Sequence, residues 1–427
     1  MEFKGKKLLI MGDNAETTAL VEIARDMGVY TVVIGMHHGS PAKAVADVGF
    51  DINGLDVAGV VAIARKEKVD GVLVGVAEVL VGAYERVCAE LGFPCYPTRE
   101  VVNTFSQKDR FKHKCEQYGI RGIPSYPLTA DMRPEDVRSI RYPVMVKPVD
   151  NGGGVGMTLC YDETQLAPAV AKALAASRRR RVIVEKYMTC DDMGLYYTFV
   201  GGQYSASMVY DRYTSDEQPG LSRVCLGGTY PSKFIDQYYA LMHENACRMF
   251  RDLGIKNGVL MLSAFFENDT FYVYDAGFRL QGEAPHLFLK HLYGYDQREM
   301  LIRFALTGSM GGLDITSVDS PMLHGKWLST LWLLLRSGVI SRVEGLDEAK
   351  ADSCVIDVVQ RLFVGDQVEH EWVGNEKQVL ARLYIVCDTK EALASKLSNL
   401  RASIRVFDEK GQDMLLHGFD VNKALRL

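Results

Sequence analysis

The sequence predicts a mixed α/β and α+β chain in three parts: a parallel-sheet domain over 1–103, a two-lobed region over 104–310 and a β-rich part over 311–427. Three observations carry this. Strand-like and helix-like patterns alternate through the first hundred residues. A lysine-bearing strand followed by a glycine-rich stretch and further strands fills the middle. From about Gly325, short strands punctuated by Gly338, Gly345, Gly365 and Gly374 take over. A chain of 427 residues is long enough for about two to four domains and a sizeable core.

In the first part Lys7–Met11 is a short apolar strand. The spacing of Leu20, Ile23, Ala24 and Met27 predicts a helix over Ala15–Met27, which Gly28 stops, and Tyr30–Gly35 is the next strand. Val57–Lys66 reads as a helix, Gly71–Val76 as a strand and Ala77–Leu91 as a helix ending at Gly92. Strands separated by helices of this length imply right-handed crossovers and a parallel sheet. Gly12-Asp13-Asn14 follows the first strand, but no G-x-G-x-x-G fingerprint is present, so nothing argues for a dinucleotide there. Thr104–Tyr118 is expected to form one helix closed by Gly119, with the Pro-rich stretch 123–127 as a linker. A small α/β unit follows over about 122–188. Tyr196–Arg279 is mostly strands with one helix, Phe234–Leu253, and Gln297–Leu306 and Lys390–Arg405 are helical.

Composition excludes several function classes. Hydrophobic content of 48%, charged content of 24% and a net charge of -5 belong to an ordinary globular chain. The basic run Arg178 to Arg181 lies between a helix and a strand and reads as a solvated helix end, so no nucleic-acid partner is expected. Nine cysteines without C-x-x-C pairs favour reduced thiols in a cytoplasm over disulfides or zinc. The apolar stretch Leu8–Met11 is too short for a signal peptide, and Trp327–Leu335 falls far short of the ~20 residues that span a bilayer. No membrane association is expected.

The chemistry lies in three segments. Lys147 ends a strand and precedes Gly152, Gly153, Gly154 and Gly156. A lysine there is a point charge for phosphates, and backbone without Cβ atoms can fold closely over them. No Gly-Lys-Ser/Thr follows, so this is not a Walker A loop. Glu185-Lys186-Tyr187-Met188 ends a second strand with a carboxylate and with backbone groups suited to a purine edge; a solvated strand end would look the same. Asp191 and Asp192 follow, in reach of ribose hydroxyls or forming a turn. The third segment, Tyr272 to Arg279, places Asp275 and Arg279 at the end of a later strand.

In order and spacing these segments resemble the ATP-grasp superfamily of ATP-dependent ligases, over almost the full chain. Within it the sequence looks most like the group of biotin carboxylase, carbamoyl-phosphate synthetase, phosphoribosylglycinamide synthetase and the amino-acid ligases. The first part then corresponds to the pre-ATP-grasp domain. The resemblance implies that Lys108 and Lys147 bind ATP, that the loop Gly152–Gly156 covers its phosphates, and that Glu185, Lys186 and Met188 hold adenine, with Asp192 on the ribose. It further implies ATP and Mg²⁺ or Mn²⁺ as cofactors, small-molecule carboxylate and amine substrates, and a homodimer as the default assembly.

One departure stands out. Such enzymes usually carry one Glu on a strand and Glu-x-Asn-x-Arg on the next, holding two Mg²⁺ ions against the phosphates. Here Ser263 stands for the first Glu, Asp275 for the second and Gly277 for the Asn, while Arg279 is unchanged. One ion on Asp275, with phosphates and water, is still feasible. Glu283 is the candidate for a second carboxylate or a catalytic base, and His286 reads as a packing residue. The expected activity is a carboxylate–amine ligase. A nucleotide-binding homologue without turnover and a bicarbonate-using carboxylase or carbamoyl-phosphate synthetase-like enzyme are the alternatives.

Overall fold

The computed structural model describes residues 2–128, 132–150, 155–216 and 223–426. Its first layer is a four-stranded sheet in the order Val48–Asp51, Tyr30–Gly35, Lys7–Met11, Gly71–Val74. All three pairings are parallel, as the alternation predicts. The strand Gly71–Val74 is shorter than expected, and the helix that follows starts only at Val81. A 3₁₀ turn, Glu78–Leu80, lies between them. That turn leaves Glu78 just beyond the carboxyl end of a parallel strand, the edge at which open α/β sheets gather ligands.

The helix expected over Thr104–Tyr118 is two helices, Arg99–Phe105 and Lys108–Gln117. Thr98 caps the first through a bond from Val101 N, and the Ser106 hydroxyl donates back to Val102 O at 2.6 Å. Such back-bonding competes with helix continuation. Gln107 is extended, and Lys108 opens the second helix with its backbone N–H donating to Val149 O at 3.1 Å.

The small lobe is an antiparallel sheet in the order Ser125–Tyr126, Val182–Lys186, Val144–Pro148, Thr158–Cys160. The helix Leu166–Ala176 buries Leu166, Ala169, Val170 and Ala173 in the same cluster as Val144, Val146 and Val184.

Among the described residues the large sheet has nine strands. Its centre is Gln203–Thr214, Asp191–Val200, Gly258–Glu267 and Thr270–Gly277, paired antiparallel in that order. On the other side Cys225–Tyr230 pairs with Trp327–Leu334, which is followed by Val379–Cys387 and Val355–Gln360. Strands from beyond Gly325 therefore continue the central sheet. The run Trp327–Leu334 is buried on both faces along nearly its whole length and has a strand on each edge. A separate three-stranded sheet (Gln367–Val368, Gly338–Glu344, Arg405–Asp408) and the helix Lys390–Ser403 complete this region around its own core. The expected helix Phe234–Leu253 is helical over 235–252, with a π turn at Tyr239–His243. All nine cysteines are free, and no helix among the described residues is long and apolar enough to cross a membrane.

Candidate functional site

Lys147 and Glu185 sit on neighbouring strands of the small lobe, offset by one diagonal step because Lys147 pairs with Ile183. Their side chains share a face. Lys147 Nζ lies 2.6 Å from Glu185 Oε2, and both residues are about 5% exposed or less (5% and 4%). The other carboxylate oxygen faces Lys112 Nζ at 3.5 Å. Burial pushes the Lys112 ammonium down, only partly offset by Glu185. Lys112 belongs to the second of the two helices and also donates to Ile123 O. The sequence did not single it out: a lysine on a charged helix looks like a solvated one.

The other residues expected around a purine are near the same strand end. Met188 is buried, and Lys186 Nζ points to Glu267 at 3.1 Å. Arg223 stacks over the Tyr187 ring at 5.6 Å. Gly156 has φ +77, and a Cβ there would meet the Ala176 methyl at 2.5 Å, so a side chain is excluded. Gly152, Gly153 and Gly154 lie outside the described residues.

Lys108 joins the small-lobe end to the large sheet. Its Nζ donates to Asp275 Oδ1 at 2.7 Å. Burial pushes the Asp275 carboxyl up, but Lys108, then Lys147 and Arg279, outweigh it and hold it below the usual carboxylate range. Burial likewise pushes the Lys108 ammonium down, and Asp275 more than restores it. Three cations therefore act on one carboxylate, and all four residues had been singled out in the sequence.

Arg279 has a partner that was not among the expected site residues. Its Nε lies 2.7 Å from Glu78 Oε2, which reaches in from the first domain. The same oxygen would be 3.2 Å from a Cβ at Gly277, so the space left by the missing Asn is bordered by this carboxylate. Burial raises the Glu78 carboxyl above its ordinary range, against the pull of Arg279.

On the same face of the large sheet, Arg212 Nη1 donates to Ser263 Oγ at 3.1 Å and Tyr274 OH at 2.9 Å, and Nη2 to Tyr210 OH at 2.7 Å. Tyr274 OH donates in turn to Asp192 Oδ1 at 2.9 Å. A bulge beside Ser263 leaves Tyr274 outside the pairing, next to Asp275. Glu283 accepts from Tyr196 OH and, at 2.6 Å, from Tyr210 OH, with Arg212 Nη2 at 3.7 Å. Burial raises the Glu283 carboxyl, but Arg212 and the two hydroxyls outweigh it, so it stays ionised. Its loop is anchored by the C-terminal strands: Tyr384 OH donates to Glu283 O at 2.9 Å and Arg382 to Gly282 O. Asp192 is thus engaged with Tyr274 and Arg212, and burial raises its carboxyl. His286 is buried and its imidazole is driven down to about 3, which fits a packing role.

The metal positions fit unevenly. Ser263 and Gly277 offer one hydroxyl, already bonded to Arg212, and no side chain. Among the described residues no three His, Cys, Asp or Glu gather as a metal-binding group. Of the three expected metal positions (263, 275 and 277), Asp275 alone has the donor chemistry for a hard cation, with phosphate and water completing the shell.

Residues 107–311 match the family model of the carbamoyl-phosphate synthase L chain, ATP binding domain. Among curated proteins, the formate-dependent phosphoribosylglycinamide formyltransferase of Sulfolobus acidocaldarius is 28% identical over 196 residues, 44% of this chain and 48% of that protein. The biotin carboxylase of Pseudomonas aeruginosa is 27% identical over 203 residues, 44% of this chain and 43% of that protein. The chain thus spans about half the length of the curated relatives it matches (48% of the first). Two solved structures are similar over almost the whole fold. The L-amino acid ligase from Bacillus licheniformis has a TM-score of 0.76 at 16% identity, covering 95% of this chain and 99% of that one. The phosphoribosylglycinamide synthetase from Anaerococcus prevotii has a TM-score of 0.73 at 15% identity, covering 95% and 100%.

Proposed function

We propose, for a chain whose residues 107–311 belong to the ATP-grasp superfamily and which shares that fold over 95% of its length, an ATP-dependent carboxylate–amine ligase. The observation that carries this is the Lys108 Nζ–Asp275 Oδ1 pair at 2.7 Å, whose carboxylate the charges of Lys147 and Arg279 also help to hold low. A triphosphate is a polyanion, and a set of fixed cations around one carboxylate is suited to receive it.

In the proposed reaction a substrate carboxylate oxygen attacks the γ-phosphorus of ATP, and ADP leaves. An amine nitrogen then attacks the acyl carbon, loses a proton and expels inorganic phosphate. The protein supplies placement and charge, with no covalent nucleophile of its own. Lys108 and Lys147 hold the phosphates and Glu185 keeps Lys147 in place. Arg279, steadied by Glu78, meets the charge that builds on the transferred group. Asp275 would hold one Mg²⁺, which would further neutralise phosphate charge. Glu283 is in this reading a positioning residue for Arg212, because a carboxyl held low by two tyrosines and a guanidinium is a poor proton acceptor. Nine free cysteines suit a reducing cytoplasm, and a homodimer is the working assembly.

The test is ADP release from a panel of carboxylates and amines with Mg²⁺ or Mn²⁺. Release that needs both an acid and an amine supports the ligase; nucleotide binding without turnover on any pair supports a homologue that has lost ligation. Ser263 and Gly277 favour that second outcome, because two usual metal-binding side chains are missing.

A further inference from the structure

We propose that the guanidinium of Arg212 takes the place of one of the two divalent cations expected on the large sheet, so that the nucleotide is bound with a single divalent ion. The inference rests on the nucleotide-binding function proposed above and goes beyond it.

Strand register fixes the geometry. Tyr210 pairs with Gly194, Gly194 with Ser263, and Ser263 with Asp275, while Arg212 pairs with Asp192. Side chains at paired positions share a face, so Arg212, Asp192, Ser263 and Asp275 lie on the same one. Gly194 opens the row. The Tyr210 ring lies directly over it, where a Cβ would come 2.0 Å from Tyr210 Cε1. Without a side chain at 194, Arg212 extends past that strand to Ser263 at 3.1 Å and Tyr274 at 2.9 Å.

This is the position at which a glutamate on the Ser263 strand would turn oxygens toward a cation. Ser263 turns a hydroxyl there, and that hydroxyl already accepts from a guanidinium. The two acids that flank it, Asp192 and Glu283, face Arg212 at 3.8 and 3.7 Å. A guanidinium carries five donors and no acceptor. It therefore takes up the Ser263 hydroxyl and offsets the charge of the two carboxylates that would attract a divalent ion, and a second cation beside it would meet repulsion at short range. Arg212 is also held rigidly. Its side chain is 10% exposed, and Tyr210 and Tyr274 fix the plane of the fork. Asp275, at the other end of the row, is more open and carries Lys108 as its partner, which leaves one cation position of the expected two.

The experiment is a Mn²⁺ titration of the full chain with a non-hydrolysable ATP analogue, free Mn²⁺ being read by electron paramagnetic resonance. One bound ion per chain is the expected result; two bound ions overturn the proposal. Arg212→Met is expected to weaken analogue binding about ten-fold or more at saturating Mn²⁺, as loss of a buried charge-assisted contact does. Wild-type affinity in that variant would also overturn it. Should Arg212→Met not fold, the ion count on the wild-type chain decides alone. Failure of the analogue to bind in either Mn²⁺ or chelator has a different meaning: it removes the nucleotide-binding function and this proposal with it.

Discussion

Lys108 Nζ lies 2.7 Å from Asp275 Oδ1, tying the first residue of a helix at the small-lobe junction to the carboxyl end of a strand in the large sheet. In the proposed function the phosphates would be bound beside this pair. Asp275→Asn removes the charge and keeps the shape. It is expected to lower ADP release by about a hundred-fold or more, the size of effect seen when one charge-stabilising group is removed from a reaction centre. Steady-state ADP release, with circular dichroism to verify the fold, is the measurement. A turnover within a few-fold of wild type would remove Asp275 from the chemistry.

The buried pair of Lys147 and Glu185 allows a stability prediction. Removing one member of a buried ion pair strands the other, at a cost of about 3–5 kcal/mol. Lys147→Met is expected to cost that much or somewhat less, since Lys112 still faces Glu185 at 3.5 Å. Lys147→Met combined with Glu185→Gln should be less destabilised than the sum of the two single changes, because neither Lys147 nor Glu185 is then left facing a missing partner. Urea unfolding of the four proteins gives the coupling directly; strict additivity would show that the pair does not act as one.

Much of this arrangement is legible in the sequence, and the rest is not for identifiable reasons. Lys7–Met11 and Tyr30–Gly35 were legible because an apolar run bounded by glycine has few other outcomes. The break at Ser106 and Gln107 was not, because a serine that bonds back to its own helix looks like any serine in a helix. The pairing of Cys225–Tyr230 with Trp327–Leu334 leaves no local pattern, since the two strands are far apart in the chain. Within the site, Lys108, Lys147, Asp275 and Arg279 came from motif order. Arg212 had a weaker signal that was available: it shares the alternation of Tyr210 and Met208, and a charge on such a face calls for a partner. Glu78 had the carboxyl end of a parallel strand to recommend it.

His286 provides a pH prediction. Its imidazole is driven down to about 3 by burial, with Arg298 and Lys290 adding to the effect against Asp296. In the unfolded chain it titrates near about 6.5. Between these values the unfolded state binds the extra proton, so stability is lost as pH falls below about 6.5, at roughly 1.4 kcal/mol per pH unit. His286→Gln should flatten this part of the profile. Comparing unfolding midpoints of wild type and variant at pH 7 and pH 5 isolates the histidine from the carboxylates, which titrate in both. Equal slopes in the two proteins would place the acid sensitivity elsewhere.

Glu78 and Arg279 permit the sharpest separation of support from chemistry. Glu78 comes from the turn after Gly71–Val74 and meets Arg279 Nε at 2.7 Å, so the first domain orients a residue two positions beyond a strand of the large sheet. Arg279 also donates to Leu280 O and Gln281 Oε1, which fix the remaining edge of its fork. If Arg279 meets the transferred phosphoryl group and Glu78 only steadies it, the two changes must not add. Arg279→Ala is expected to lower turnover about a hundred-fold, and Glu78→Gln about ten-fold with little change in the KM for ATP. The double variant should then be no slower than Arg279→Ala, because a support has nothing left to hold. A double variant slower by the product of both effects would mean that Glu78 acts on the reaction independently of Arg279.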